Sequence, residues 1–247
     1  MRYATTSFNI SLQKAMVMRK LWLLSLLIAP LWASAAVTNE FTLANGLKVV
    51  VREDHRSPVV VTQAWYKVGS AYESTGSTGI SHALEHMMFK GTSKVPAGEF
   101  SRLVAYFGGE DNAFTTDDYT AYYQLYSNNR LPLAIELEAD RMANLQLKEE
   151  DFKQEIRVVM EERRQRTDDS PQGIALERFQ AVAMLTTPNR NPTIGWMSDL
   201  ENMSVDELKK WYQTWYAPNN ATLVIVGDVN TDEVKALAEK YFAPIPS

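Results

Sequence analysis

An α+β fold is the class this chain predicts, and three observations carry the prediction. β-rich runs stand at 47–51, 59–68, 113–126 and 221–226. Three helical stretches follow one another between residues 130 and 186 with no strand among them. Strands and helices are thus mixed without the strict alternation of a doubly wound parallel sheet. Of the 247 residues, 45% are hydrophobic and 22% charged, which suits one real core and argues against a disordered chain.

The elements are read in chain order. Leu47-Lys48-Val49-Val50-Val51 and the run 59–68 are two strands, split by the turn-like Asp54-His55-Arg56-Ser57-Pro58. A helix is expected over about 79–90, and another from about 97 to Phe107, where Gly108-Gly109 gives a C-terminal stop. Residues 113–126 are rich in Thr, Tyr and Phe and read as strands. Helices are expected near 130–146, 149–167 and 171–186. Ser204-Val205-Asp206-Glu207 is a capping box that opens a helix to about Trp215. A buried strand at 221–226 and a last helix near 231–242 complete the chain.

The N-terminus reads as an address. The flank carries Arg2, Lys14, Arg19 and Lys20 and no acid, and an apolar run from Leu21 to Trp32 follows. That run is too short to cross a bilayer as a helix. Ala33-Ser34-Ala35 is a small-residue cleavage site, so 1–35 is expected to be a secretory signal and Ala36 the new N-terminus. A start at Met16 or Met18 would make the signal more typical. Residues 36–247 are then one continuous exported domain, with no membrane span left after cleavage. The absence of cysteine fits the periplasm.

Composition excludes several chemistries. The formal net charge of −5 argues against nonspecific nucleic-acid binding. With no cysteine there is no disulfide scaffold, thiolate zinc finger, iron–sulfur cluster or thiol nucleophile. The histidines are three: His55, His82 and His86.

Two of them form a motif, His82-Ala83-Leu84-Glu85-His86. On a helix His82 and His86 are i and i+4, so both imidazoles leave one face a turn apart and suit one zinc ion. Glu85 shares that face and is placed to reach a water held there. A catalytic zinc needs a third protein ligand. His55 stands in a turn, so the third ligand is expected to be a carboxylate. The stretch 149–167 offers Glu149, Glu150, Asp151, Glu155, Glu161 and Glu162, and spacing alone does not choose among them. Glu155 and Glu162, i and i+7, share a face with Ile156, Val159 and Arg163, while Glu161 points elsewhere. The mixed charges from Glu161 to Arg166 read as a solvated helix face. Trp211, Tyr212, Trp215 and Tyr216 stand at helical spacing and read as core or domain-contact residues.

The motif and its surroundings resemble the insulinase-like (pitrilysin, M16) zinc peptidases, which include the mitochondrial processing peptidase. H-x-x-E-H is their inverted zinc signature. Gly79-Ile80-Ser81 leads into it and Met87-Met88-Phe89-Lys90-Gly91-Thr92 follows. Gly108-Gly109 with Asn112-Ala113-Phe114-Thr115, the E-x6-E pattern of Glu155 and Glu162, and Tyr216-Ala217-Pro218-Asn219-Asn220 with Val226-Gly227-Asp228-Val229 extend the likeness over about 40–245.

The resemblance implies a mostly antiparallel mixed sheet with helices packed on it, the metallohydrolase fold of the processing peptidase. It implies one Zn2+ held by His82, His86 and Glu162, with Glu85 as general base and Glu155 beside the site as partner of a histidine. It implies that Asn112, Ala113, Phe114 and Thr115 form a sheet edge to which an extended peptide adds as a strand. The activity implied is that of an exported zinc metalloendopeptidase using a zinc-activated water. The chain departs from the family in length. It stops at Pro246-Ser247, about where the family's first domain ends, so a second domain or subunit is the expected partner. The alternative is a non-catalytic or incomplete half, active only with that partner. A lyase built on the same motif needs a catalytic cysteine, and there is none.

Overall fold

The computed structural model describes residues 38–247; the signal expected at 1–35 lies outside them. The chain runs β1 (Thr38–Thr42), β2 (Lys48–Glu53), β3 (Val59–Tyr66), α1 (Ile80–Met87), α2 (Glu99–Tyr106), β4 (Glu110–Thr115), β5 (Thr120–Ser127), α3 (Leu131–Asn144), α4 (Glu149–Arg163), α5 (Pro171–Ala183), α6 (Met197–Asn202), α7 (Val205–Trp215), β6 (Ala221–Gly227) and α8 (Thr231–Tyr241).

The six strands form one sheet in the order β1-β2-β6-β3-β5-β4. β2 and β6 are parallel, and every other neighbouring pair is antiparallel. This is the mostly antiparallel mixed sheet of an α+β domain. Alternation along β2, β3 and β6 buries one face. Val49 and Val51 of β2, Val60, Ala64 and Tyr66 of β3, and Leu223 and Ile225 of β6 join the core with Leu84 and Met87 of α1 and Leu131 and Ile135 of α3. Each buried Val, Leu, Ile or Met side chain among them contributes roughly 1.5–3 kcal/mol. Among the described residues, no helix is long and apolar enough to cross a membrane.

Local chemistry explains the boundaries. Gly108 takes φ 74° just past α2, the left-handed conformation that ends a helix. Ser204 and Glu207 make the reciprocal capping box of α7. Ser170 caps α5, with Pro171 in its first turn. Trp211, Tyr212 and Trp215 pack against the core, and the Tyr216 hydroxyl meets that of Tyr122 at 3.0 Å.

Three details differ from the sequence reading. β1 and α6 are additional elements. The expected helix over 149–167 is α4 to Arg163, followed by one wide turn over Arg164–Asp168 in which Asp169 N donates to Arg164 O, five residues back. The stretch 161–166 is not uniformly solvated, because Arg163 is only 4% exposed. Its guanidinium donates to Glu177 at 2.7 and 3.0 Å and to the Gly195 carbonyl at 2.9 Å. Burial of a charge requires such partners, and here they tie α4 to α5 and to the loop before α6.

Two placements prepare the site. α1 is sunk into the core, with Ile80, Ser81, His82, Ala83, Leu84 and Met87 all buried. β4 is an edge strand that pairs only with β5.

Candidate metal centre

His82 and His86 leave α1 one turn apart, with ring centroids 4.7 Å from each other. α4 brings Glu162 to both. Its Oε2 lies 3.3 Å from His86 Nε2 and 3.7 Å from His82 Nε2. One donor atom from each of the three residues lies within 4.8 Å of the others, and no other such group occurs among the described residues. Donors around a tetrahedral zinc at about 2.0–2.1 Å stand roughly 3.4 Å apart, so these separations fit one ion.

The other acids of α4 go elsewhere. Glu149 pairs with Lys153 and Glu161 with Arg164. Glu155 stays outside the triangle, on the far side of His86, where its Oε1 lies 3.0 Å from Nδ1. Its other oxygen pairs with Lys90. The arrangement fixes the His86 ring with Nε2 turned toward Glu162, as metal-binding histidines are commonly held.

Glu85 lies beside the triangle. The Thr115 hydroxyl, at the end of β4, donates to Glu85 Oε2 at 2.5 Å. Within 112–115 the side chains alternate. Ala113 and Thr115 are half-buried, whereas Asn112 and Phe114 are exposed, and Phe114 packs edge-on to Trp65. The Ala113 N–H is taken by the Asn112 side chain at 2.8 Å rather than by a strand. His55 is remote from the site; its Nδ1 meets Asp228 at 2.6 Å.

Three contacts were beyond the sequence reading. Thr115 reaches Glu85 rather than only lining an edge. Lys90 neutralises Glu155. Arg166 lies 2.8 Å from Glu162 Oε1. The i, i+4 spacings of His86 with Lys90 and of Glu162 with Arg166 were the available signals for the last two.

Electrostatics separate the two imidazoles. Burial, helped by the charges of His86 and Arg166, pushes His82 down to about 3 and keeps it neutral, as a metal ligand must be. Burial opposes charge on His86 too, but its hydrogen bond to Glu155 and the charges of Glu162, Glu155 and Glu85 outweigh it and raise its pKa. Burial raises the Glu85 carboxyl above the usual range against the pull of Thr115.

The His82 shift predicts acid sensitivity in the metal-free chain. The folded pKa lies below the ordinary 6.5, so the stability that a neutral His82 contributes is present above pH 6.5 and lost as pH falls toward 3. One proton gives a slope approaching ~1.4 kcal/mol per pH unit. His86, shifted the other way, acts in the window above 6.5. Urea denaturation of wild type and His82→Gln between pH 4 and 7 checks this, and equal slopes would refute it.

A mixed sheet with a helical layer that converges two imidazoles and a carboxylate beside a second acid defines a metallopeptidase-type domain. The insulinase model (peptidase family M16) matches residues 48–195, and a model described as the M16 inactive domain matches 202–247. The chain belongs to the insulinase family of peptidases, M16. It is 41% identical to the zinc protease PqqE of Helicobacter pylori over 92% of this chain and 52% of that one. A probable mitochondrial-processing peptidase β subunit of Arabidopsis thaliana is 27% identical, over 87% of this chain and 40% of that one. The crystal structure of a protease from Helicobacter pylori superposes with a TM-score of 0.83 at 40% identity, over 86% of this chain and 51% of that one. The first half of the periplasmic protease PqqL from Escherichia coli gives 0.77 at 25% identity, over 86% and 48%. The chain thus spans about half the length of PqqE.

Proposed function

We propose that the chain is the metal-bearing half of an exported zinc endopeptidase that cuts extended peptides. The observation that carries the reading is the convergence of Glu162 on both histidines of α1, with Glu85 outside that triangle and held by Thr115. His82, His86 and Glu162 would hold zinc, which when bound polarises the scissile carbonyl and makes water acidic enough to attack near neutral pH. Glu85 takes the proton of that water and returns it to the leaving amine. Thr115 occupies Oε2 and leaves Oε1 to receive the proton. Glu155 holds the ring of His86.

The free edge of β4 would receive substrate. Asn112, Ala113, Phe114 and Thr115 run along it toward Glu85, and an added strand would take backbone hydrogen bonds with little demand on sequence. The Asn112 side chain now occupies the Ala113 N–H that a substrate carbonyl would use. The remaining half of the active particle would be a second domain or subunit of the same family, since PqqE is about twice as long as the matched region.

The test is hydrolysis of an unstructured reporter peptide by the full chain with zinc. Cleavage supports the reading. Zinc bound without cleavage supports the alternative, a half that works only with its partner. A chain that binds no zinc overturns both. Export would remove residues 1–35; N-terminal sequencing of the exported form is expected to begin at Ala36, and an intact Met1, Met16 or Met18 would refute it.

A further inference from the structure

The helix that carries His82, Glu85 and His86 has no capping side chain at its own start. α1 opens at Gly79, with φ 83° and no side-chain acceptor. The first amides of a helix lack partners within it, and here one carboxylate from outside the helix takes two of them. Glu73 follows the short turn Ser70–Tyr72 and is 7% exposed. Its Oε2 accepts from Gly79 N at 2.7 Å and its Oε1 from Ser81 N at 2.8 Å. Asp199 of α6 accepts from Thr78 N at 3.2 Å and from Thr78 Oγ1 at 2.6 Å. Gly79 lies against a wall, since a Cβ there would sit 2.6 Å from the Ile194 carbonyl oxygen.

The usual serine or aspartate N-cap has no room here, because any Cβ at Gly79 would strike Ile194 and Gly195. Burial lifts Glu73 to about 7 in spite of the backbone hydrogen bonds that pull it down. What Glu73 adds is a bidentate grip on two amides immediately before His82. We infer that Glu73 is a positioning residue for the metal centre: by holding Gly79 and Ser81 it sets the height and rotation of α1, so that both Nε2 atoms meet Glu162. This rests on the metallopeptidase reading above.

The test uses the full chain and zinc competition against a chelator, with the visible spectrum of the Co2+ form as a report on ligand geometry. Glu73→Gln keeps the shape but sets an NH2 against a backbone N–H. Glu73→Asp keeps the charge on an arm one methylene shorter. Each is expected to unfold cooperatively yet bind zinc ~10–100-fold more weakly, the usual effect of losing a group that orients a ligand, and to alter the cobalt spectrum. Glu73→Asp should recover part of the loss. Wild-type affinity and spectrum in either folded variant, while Glu162→Gln loses zinc, would overturn the inference alone. Undiminished zinc in Glu162→Gln as well would move the third-ligand role to another carboxylate and overturn the inference with it.

Discussion

Glu85→Gln is expected to retain zinc and to lose peptide hydrolysis by about 10²–10⁴-fold in kcat, the range of a positioned general base. The substitution preserves size and still offers an oxygen to Thr115. It removes only the capacity to take a proton. Glu85 stands outside the triangle of His82, His86 and Glu162, so metal content should not change. KM should change little, because the β4 edge is intact. The assay needs a catalytically competent particle, so it is read on the chain alone if that cleaves and otherwise on the chain with its partner half. Equal rates in mutant and wild type would mean that another group carries the proton or that the cleavage is a contaminant.

Glu162→Gln is expected to lower zinc affinity by more than the ~10–100-fold typical of an outer partner. It replaces an anion by a neutral amide at 3.3 Å from His86 and 3.7 Å from His82. The change also frees Arg166, leaving a cation beside the two imidazoles. Metal content after dialysis checks it. Retention of a full equivalent would move the role to another carboxylate, with Glu155 next because it already touches His86.

Much of this site was legible because it is local. The i, i+4 spacing places His82 and His86 on one face without knowledge of the fold, and Glu85 comes with them. Caps at Ser204 and Gly108 are local too. The third acid was not legible from periodicity, which places Glu155 and Glu162 on one face and is blind to the slide of α4 along α1. That slide puts Glu155 behind His86 and Glu162 in front of it. Arg163 reads as one charge among many until Glu177 and Gly195 are brought to it. β1 lacks an apolar run and is held by backbone pairing with β2. The grip of Glu73 on α1 crosses a turn that no pattern announces.

α1 and α4 meet only in the folded chain, and the whole segment from His86 to Glu162 must be looped back before the third donor arrives. An ion held there is a long-range crosslink as well as a reagent. It binds the folded chain far better than the unfolded one, so it deepens the native well by RT ln(1 + [Zn]/Kd), about 4 kcal/mol at a thousandfold excess over Kd. That is a large share of the 5–15 kcal/mol that holds a typical domain together. If the site binds zinc as proposed, the melting temperature of this chain is expected to be not a single number but a function of free zinc. A chelator is then expected to lower it without touching a covalent bond.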